Sequence, residues 1–327
     1  MTGKTDSVLN VEHFSLLFPA RGKNAFAVND ISFSIGEGEI AGLVGESGCG
    51  KTMTALSCIG LQPESAALSG SIRIAGKNAL SFSEDDWTRE RGKTVSMIFQ
   101  EPMTSLNPLE KVGKQIAETG VLHGLSKRDA KDKALFLMEE LNLPDVNALY
   151  GAYPHQLSGG QRQRIMIASA LMNEPKLLIA DEPTTALDAA TQAQIIKLLQ
   201  KMNAAFKTAV LFVSHDLLLV KKLCAKVYIM YAGCILECGD TRAVLENPAH
   251  PYTRALVNAL PSYEKKAQEL DCIAGFVPTL EHREEDGVYL YERWAESKDE
   301  CYIPKAKKDG GVFHQAYCHV HNALEDV

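Results

Sequence analysis

Three short apolar runs punctuate the chain: EIAGLVG from Glu39 to Gly45, KLLIADEP from Lys176 to Pro183, and TAVLFVSHD from Thr208 to Asp216. Each is nearly continuous rather than alternating, as expected of a strand buried on both faces in a parallel sheet. Between the first two, from about 104 to 156, the pattern changes period. Ala134, Leu137, Met138 and Leu141 recur on one helical face, and Ser126 followed by Asp129 resembles a helix-start capping box. After the third run, KVYIMYAGCILECGD reads as a hairpin turning near Ala232-Gly233. An α/β core with a helical insertion is therefore expected. No apolar run reaches the roughly 18 residues that a membrane-spanning helix needs.

Composition narrows the class. A chain of 327 residues, 46% of them hydrophobic, can bury a large core. The formal charge of −7 argues against broad phosphate neutralisation along a nucleic acid, so no nucleic-acid partner is expected. The start, MTGKTDSVLN, lacks the basic flank and apolar stretch of a signal peptide, and a cytosolic location is expected. Eight scattered cysteines read as reduced thiols rather than a secreted disulfide framework.

The first apolar run leads directly into Gly45, Glu46, Ser47, Gly48, Cys49, Gly50, Lys51 and Thr52. This is a phosphate loop: glycines allow the tight turn that aims backbone N–H groups inward, and the following helix adds its positive end. Lys51 is expected at the β- and γ-phosphates and Thr52 at magnesium. The second run ends in adjacent carboxylates, Asp181 to hold the ion and Glu182 to polarise the attacking water. The third brings His215 to the same sheet edge, where ligands of parallel sheets bind, as a γ-phosphate contact. Alone, an acid or histidine at a strand end is commonplace. The combination is not.

Between the acid pair and the phosphate loop stands LSGGQRQR, Leu157 to Arg164, preceded by YPHQ. Ser158 offers a hydroxyl and Gly159 and Gly160 expose backbone N–H groups at a helix start, which makes an anion site. Together with the phosphate loop, this stretch closely resembles the signature of ABC transporter ATPases. The resemblance implies an α/β fold with a phosphate-loop, RecA-like ATPase core over residues 1–261, an inserted helical subdomain at about 104–165, and a small C-terminal extension over 262–327. It also implies that Phe18 or Phe26 stacks on adenine, and that Gln100 of MIFQ is the lid-loop glutamine, joining Thr52 and Asp181 at magnesium. Ala186-Leu187-Asp188 matches the loop after the acid pair. By the same resemblance, Ser158, Gly159, Gly160 and Gln161 serve the nucleotide of a second ATPase subunit in a head-to-tail pair, identical or different, sandwiching two ATP molecules.

Two stretches point to a branch. EPMTSLNP after Gln100 and His250-Pro251-Tyr252-Thr253 resemble the oligopeptide, dipeptide and nickel importers. The expectation is an ATPase at the cytoplasmic face of the inner membrane, held there by integral permease subunits and served indirectly by a periplasmic or extracellular solute-binding protein. Alternatives are nickel chelates, opines or short sugars as cargo, or a soluble ABC nucleotide switch acting on ribosomes or DNA. Relatives in the branch carry four cysteines for an iron–sulfur cluster, and four thiolates are the usual requirement. Here only Cys301 and Cys318 match, the other two positions being Val288 and Trp294. The histidines beside Cys318 have no closed zinc spacing. ATP and magnesium are the expected cofactors.

Overall fold

A computed structural model describes residues 7–20, 23–100, 105–185, 187–260, 276–283 and 314–316. The strands, in chain order, are β1 (Ser7–Ala20), β2 (Lys23–Gly36), β3 (Ile40–Val44), β4 (Ala67–Ile74), β5 (Lys77–Asn78), β6 (Val95–Ile98), β7 (Leu177–Asp181), β8 (Ala209–Ser214), β9 (Lys226–Tyr231), β10 (Cys234–Asp240) and β11 (His314–Ala316). Among the described residues they form an antiparallel sheet, β2-β1-β4-β5, and a larger one in the order β11-β10-β9-β3-β8-β7-β6. The three apolar runs become β3, β7 and β8, adjacent and parallel at its centre.

Every residue of these three strands is buried, and the two-residue period sorts them between two cores. Ile40, Val44, Leu178, Ala180, Val210 and Phe212 face one core. Ala41, Leu43, Leu177, Ile179, Ala209, Leu211 and Val213 face the other. The first core is shared with the helical insertion, the second with the antiparallel sheet. A continuous apolar run is thus required, because neither face meets water.

The helices are α1 (Lys51–Ser57), α2 (Glu84–Glu90), α3 (Val112–Leu122), α4 (Lys127–Glu140), α5 (Val146–Tyr150), α6 (Gly159–Leu171), α7 (Ala189–Phe206), α8 (Leu217–Leu223), α9 (Thr241–Glu246) and α10 (Pro251–Asn258). The insertion comprises α3 to α6, and Ala134, Leu137, Met138 and Leu141 are fully buried in it. Ser126 caps α4 by accepting the Asp129 N–H at 3.1 Å. The Asp129 carboxylate takes the Ser126 hydroxyl at 2.7 Å, where a reciprocal box would take the backbone N–H.

The hairpin between β9 and β10 pairs Tyr231 with Cys234, and its two turn residues, Ala232 and Gly233, have φ of 45° and 95°. Positive φ at both positions matches the right-handed strand twist. Beyond it, the fully buried Glu237 carboxylate accepts the N–H groups of Ala249 and His250 at 2.8 and 3.0 Å and meets His314 Nε2 at 2.6 Å. This anchors the start of α10, where His250 Nδ1 accepts the Tyr252 N–H at 3.1 Å and Pro251 occupies the first turn. No helix among the described residues is long and apolar enough to cross a membrane. Residues 101–104, Ala186, Cys272, Val288, Trp294, Cys301 and Cys318 lie outside the described residues.

Candidate functional site

The loop between β3 and α1 is shaped by contacts that only glycine allows. A Cβ on Gly45 would lie 2.0 Å from the Met230 carbonyl oxygen. One on Gly50, at φ 110°, would lie 2.5 Å from that of Ala27. The loop is thereby pressed against β2 and β9. Lys51 is 5% exposed, and its ammonium donates to the carbonyls of Gly45 at 2.8 Å and Glu46 at 2.9 Å, which folds the side chain back over the loop. Cys49 is buried, and burial raises its thiol pKa against the opposing pull of Lys51. Cys49 can therefore present only backbone to a ligand, and its N–H donates to the Glu46 carbonyl at 3.3 Å. The Glu46 N–H is likewise engaged, by the Tyr252 hydroxyl at 3.3 Å. These two N–H groups depart from the expectation that successive loop amides all face inward.

At the end of β7, Asp181 is 2% exposed and its carboxylate stands 3.5 Å from the Thr52 hydroxyl, which donates to it. Burial, with the neighbouring Glu182 charge, pushes its pKa to about 6 despite that hydrogen bond and Lys51. Two hard oxygen donors side by side, one a carboxylate whose charge burial disfavours, suit a hard divalent cation such as magnesium. Among the described residues there is no cluster of three or more histidine, cysteine or acidic side chains for a softer metal. His314, four residues before Cys318 in sequence, is committed to Glu237.

Glu182 leaves the strand with φ 45°. Asp181 and Glu182 would otherwise point to opposite faces of β7, and the left-handed residue turns Glu182 toward the cleft. Its carboxylate accepts from Gln100 Nε2 at 3.1 Å and Thr185 Oγ1 at 2.9 Å, and meets His215 Nδ1 at 3.0 Å. Burial pulls its pKa upward, but the His215 and Thr185 hydrogen bonds and the His215 and Lys51 charges outweigh it, so the carboxyl titrates below its ordinary value. Glu182 is ionised at neutral pH.

Phe18, Ser47, Gly48, Lys51, Gln100 and Glu182 line one cleft. Phe26 is 8% exposed and lies inside the protein, so Phe18 is the aromatic facing it. Ser158, Gly159, Gly160 and Gln161 do not line this cleft. They begin α6 with a reciprocal capping box: Ser158 Oγ accepts the Gln161 N–H at 3.3 Å and Gln161 Oε1 accepts the Ser158 N–H at 2.8 Å. Sequence reasoning missed Thr185, Tyr252 and Arg283 as neighbours of the site. Tyr252 stood in a noticed motif, whereas nothing local marks Thr185 or Arg283.

A sheet edge that gathers a phosphate loop, a strand-end acid pair and a histidine defines a phosphate-loop ATPase, here with a helical insertion beside the sheet. Residues 28–185 match the ABC transporter family, and residues 236–301 match the oligopeptide/dipeptide transporter C-terminal region. The chain is 42% identical over 306 residues to the probable D,D-dipeptide transport ATP-binding protein DdpD of Escherichia coli, covering 93% of this chain and 91% of that protein. It is 42% identical to the oligopeptide transport ATP-binding protein OppD of the same organism over 85% of this chain and 82% of the relative. A solved dimeric ATP-binding cassette with bound ADP and Pi superposes with a TM-score of 0.64 at 25% identity, covering 72% of this chain and 99% of that one. The chain belongs to the ABC transporter family, among the ATP-binding proteins of the oligopeptide/dipeptide branch.

Proposed function

We propose that this protein hydrolyses ATP to drive import of di- or oligopeptides, as a peripheral subunit on the cytoplasmic side of a pair of integral membrane permeases. The observation that carries the reading is the Glu182 carboxylate held by Gln100, Thr185 and His215 in the cleft that contains Lys51 and Thr52. The names of the relatives, and the match to the oligopeptide/dipeptide C-terminal region, support peptide cargo over the alternatives.

Lys51 and the loop N–H groups bind the β- and γ-phosphates, and the Lys51 ammonium exchanges its two loop carbonyls for phosphate oxygens. Thr52 and Asp181 would hold magnesium, which would offset the negative charge of the phosphates. Gln100, whose amide donates to Glu182 here, would add its side-chain oxygen to that site from the lid loop. Phe18 stacks on the adenine. Glu182 accepts a proton from the attacking water, and His215 keeps the carboxylate oriented while its exposed ring reaches toward the γ-phosphate. Ser158, Gly159, Gly160 and Gln161 act in trans, closing on the nucleotide of a second ATPase subunit. That these residues do not line the chain's own cleft supports a paired arrangement. ATP draws the two subunits together and hydrolysis releases them.

The experiment is purification of the tagged chain from membranes of its host cells with identification of the proteins that come with it, followed by ATPase and peptide-uptake assays of the recovered complex in proteoliposomes with a solute-binding protein. Co-purified permeases and ATP-dependent peptide uptake are expected. Recovery with ribosomes or DNA instead would overturn the reading.

A further inference from the structure

The segment 276–283, far along the chain from the catalytic motifs, returns to the cleft. Val277, Pro278, Thr279, Leu280 and Arg283 line it together with Phe18 and Lys51. The segment is a built element rather than a strand draped over the opening. A 3₁₀ turn spans Leu280–His282, with the His282 N–H on the Thr279 carbonyl at 2.9 Å and the Arg283 N–H on the Leu280 carbonyl at 3.2 Å. Val277 packs on one core of the ATPase and Leu280 on the other, so the segment is pinned at Val277 and at the first residue of the turn.

Arg283 is the centre of this arrangement. It is 5% exposed, its Nε donates to the Pro278 carbonyl at 3.1 Å, and its Nη2 donates to the Gly48 carbonyl at 2.6 Å, 235 positions away in sequence. Gly48 is the phosphate-loop residue with φ 79° around which a side chain would meet nothing within 4 Å. The turn is therefore open on the side where a side chain would stand. The hydrogen bond from Arg283 is charge-assisted, and such bonds are about twice as strong as neutral ones. The guanidinium also brings a fixed positive charge to the loop side of the cleft, where phosphate charge accumulates.

We propose that residues 276–283 form a wall of the nucleotide site and that Arg283 is a positioning residue, which presets the Gly48 turn of the phosphate loop for ATP. The inference rests on the ATP-site reading above. Preorganisation of this kind acts on binding, because the loop no longer has to be ordered when nucleotide arrives. The C-terminal extension is then part of the ATP site itself.

The test uses the full chain. Arg283→Ala is expected to raise the KM for ATP and the Kd for ADP about tenfold, while kcat falls less than threefold. Arg283→Lys, which keeps one donor, is expected to recover part of the loss. A general structural role would lower stability and kcat together without this split or rescue. As a measurement independent of any variant, wild-type protein is photolabelled with 8-azido-ATP and digested with trypsin. The expected result is label on the peptide ending at Arg283, suppressed by excess ATP. Folded Arg283→Ala with wild-type KM, or label confined to the peptides of β1 and β2, would overturn the proposal. Wild-type protein that binds no ATP, like a Lys51→Ala control, would instead overturn the ATP-site reading.

Discussion

The Tyr252 hydroxyl accepts a hydrogen bond from the Glu46 N–H at 3.3 Å, joining the first turn of α10 to the phosphate loop. Tyr252 is fully buried, and burial, with the nearby Glu46 and Cys49, pushes its phenol pKa far above the ordinary range, so it stays neutral. Tyr252→Phe removes the hydroxyl that accepts the Glu46 N–H. The expected cost is roughly 1–2 kcal/mol of stability, together with about a threefold rise in the KM for ATP, which amounts to roughly 0.6 kcal/mol. Differential scanning calorimetry and steady-state kinetics read the two effects separately.

Glu182→Gln removes the proposed base while keeping the size of the side chain and an oxygen for Thr185. Loss of a general base lowers turnover by about a hundredfold or more. ATP binding should survive, because the contacts of Lys51 and Thr52 are untouched. Single-turnover hydrolysis and equilibrium ATP binding check this, and near-normal hydrolysis would contradict the role given to Glu182.

Gly45→Ala and Gly76→Ala separate crowding from backbone strain. At Gly45 the new methyl would sit 2.0 Å from the Met230 carbonyl, so the loop must move away from β9. Overpacking of this kind costs typically 1–3 kcal/mol, and ATP binding should fall with it. Gly76 has φ 83° with nothing within 4 Å, so alanine there carries only the left-handed penalty of about 1–2 kcal/mol. Its ATP affinity should match the wild type in a filter-binding assay.

The buried thiols give a pH prediction. Burial pushes Cys58 to about 12. Burial also pushes Cys234 to about 12, against the opposing charge of Arg283. A shift this large leaves roughly one thiol in a thousand ionised at pH 9, where an ordinary cysteine near 8.5 is mostly thiolate. Raising the pH from 7 to 9 should therefore leave both residues unmodified by iodoacetamide in the native protein. They should label fully in denaturant. Peptide mapping by mass spectrometry distinguishes them from the other cysteines.

Much of this architecture was legible because it rests on local patterns. Strands buried on both faces need unbroken apolar runs, and β3, β7 and β8 advertised themselves and the residues at their ends. Helix α4 and its C-cap likewise announced their buried face through Ala134, Leu137, Met138 and Leu141. The neighbours of the site that went unnoticed arrive by long-range packing. Arg283 reaches Gly48 across 235 positions, and no short pattern encodes such a contact. The choice between Phe18 and Phe26 was also undecidable locally. Both lie on the paired strands β1 and β2, and the register that joins Phe18 to Ala25 and Leu17 to Phe26 puts one in the cleft and the other in the core.

The φ of 45° at Glu182 sets two selection pressures against each other at one position. Ranked by backbone comfort alone, glycine or asparagine would be the preferred residue there, since either accepts a left-handed conformation more readily than glutamate. A library screened for thermal tolerance should therefore enrich substitutions at 182 that a screen for peptide uptake eliminates. Chains of this branch optimised only for robustness would drift toward folded proteins that no longer turn over.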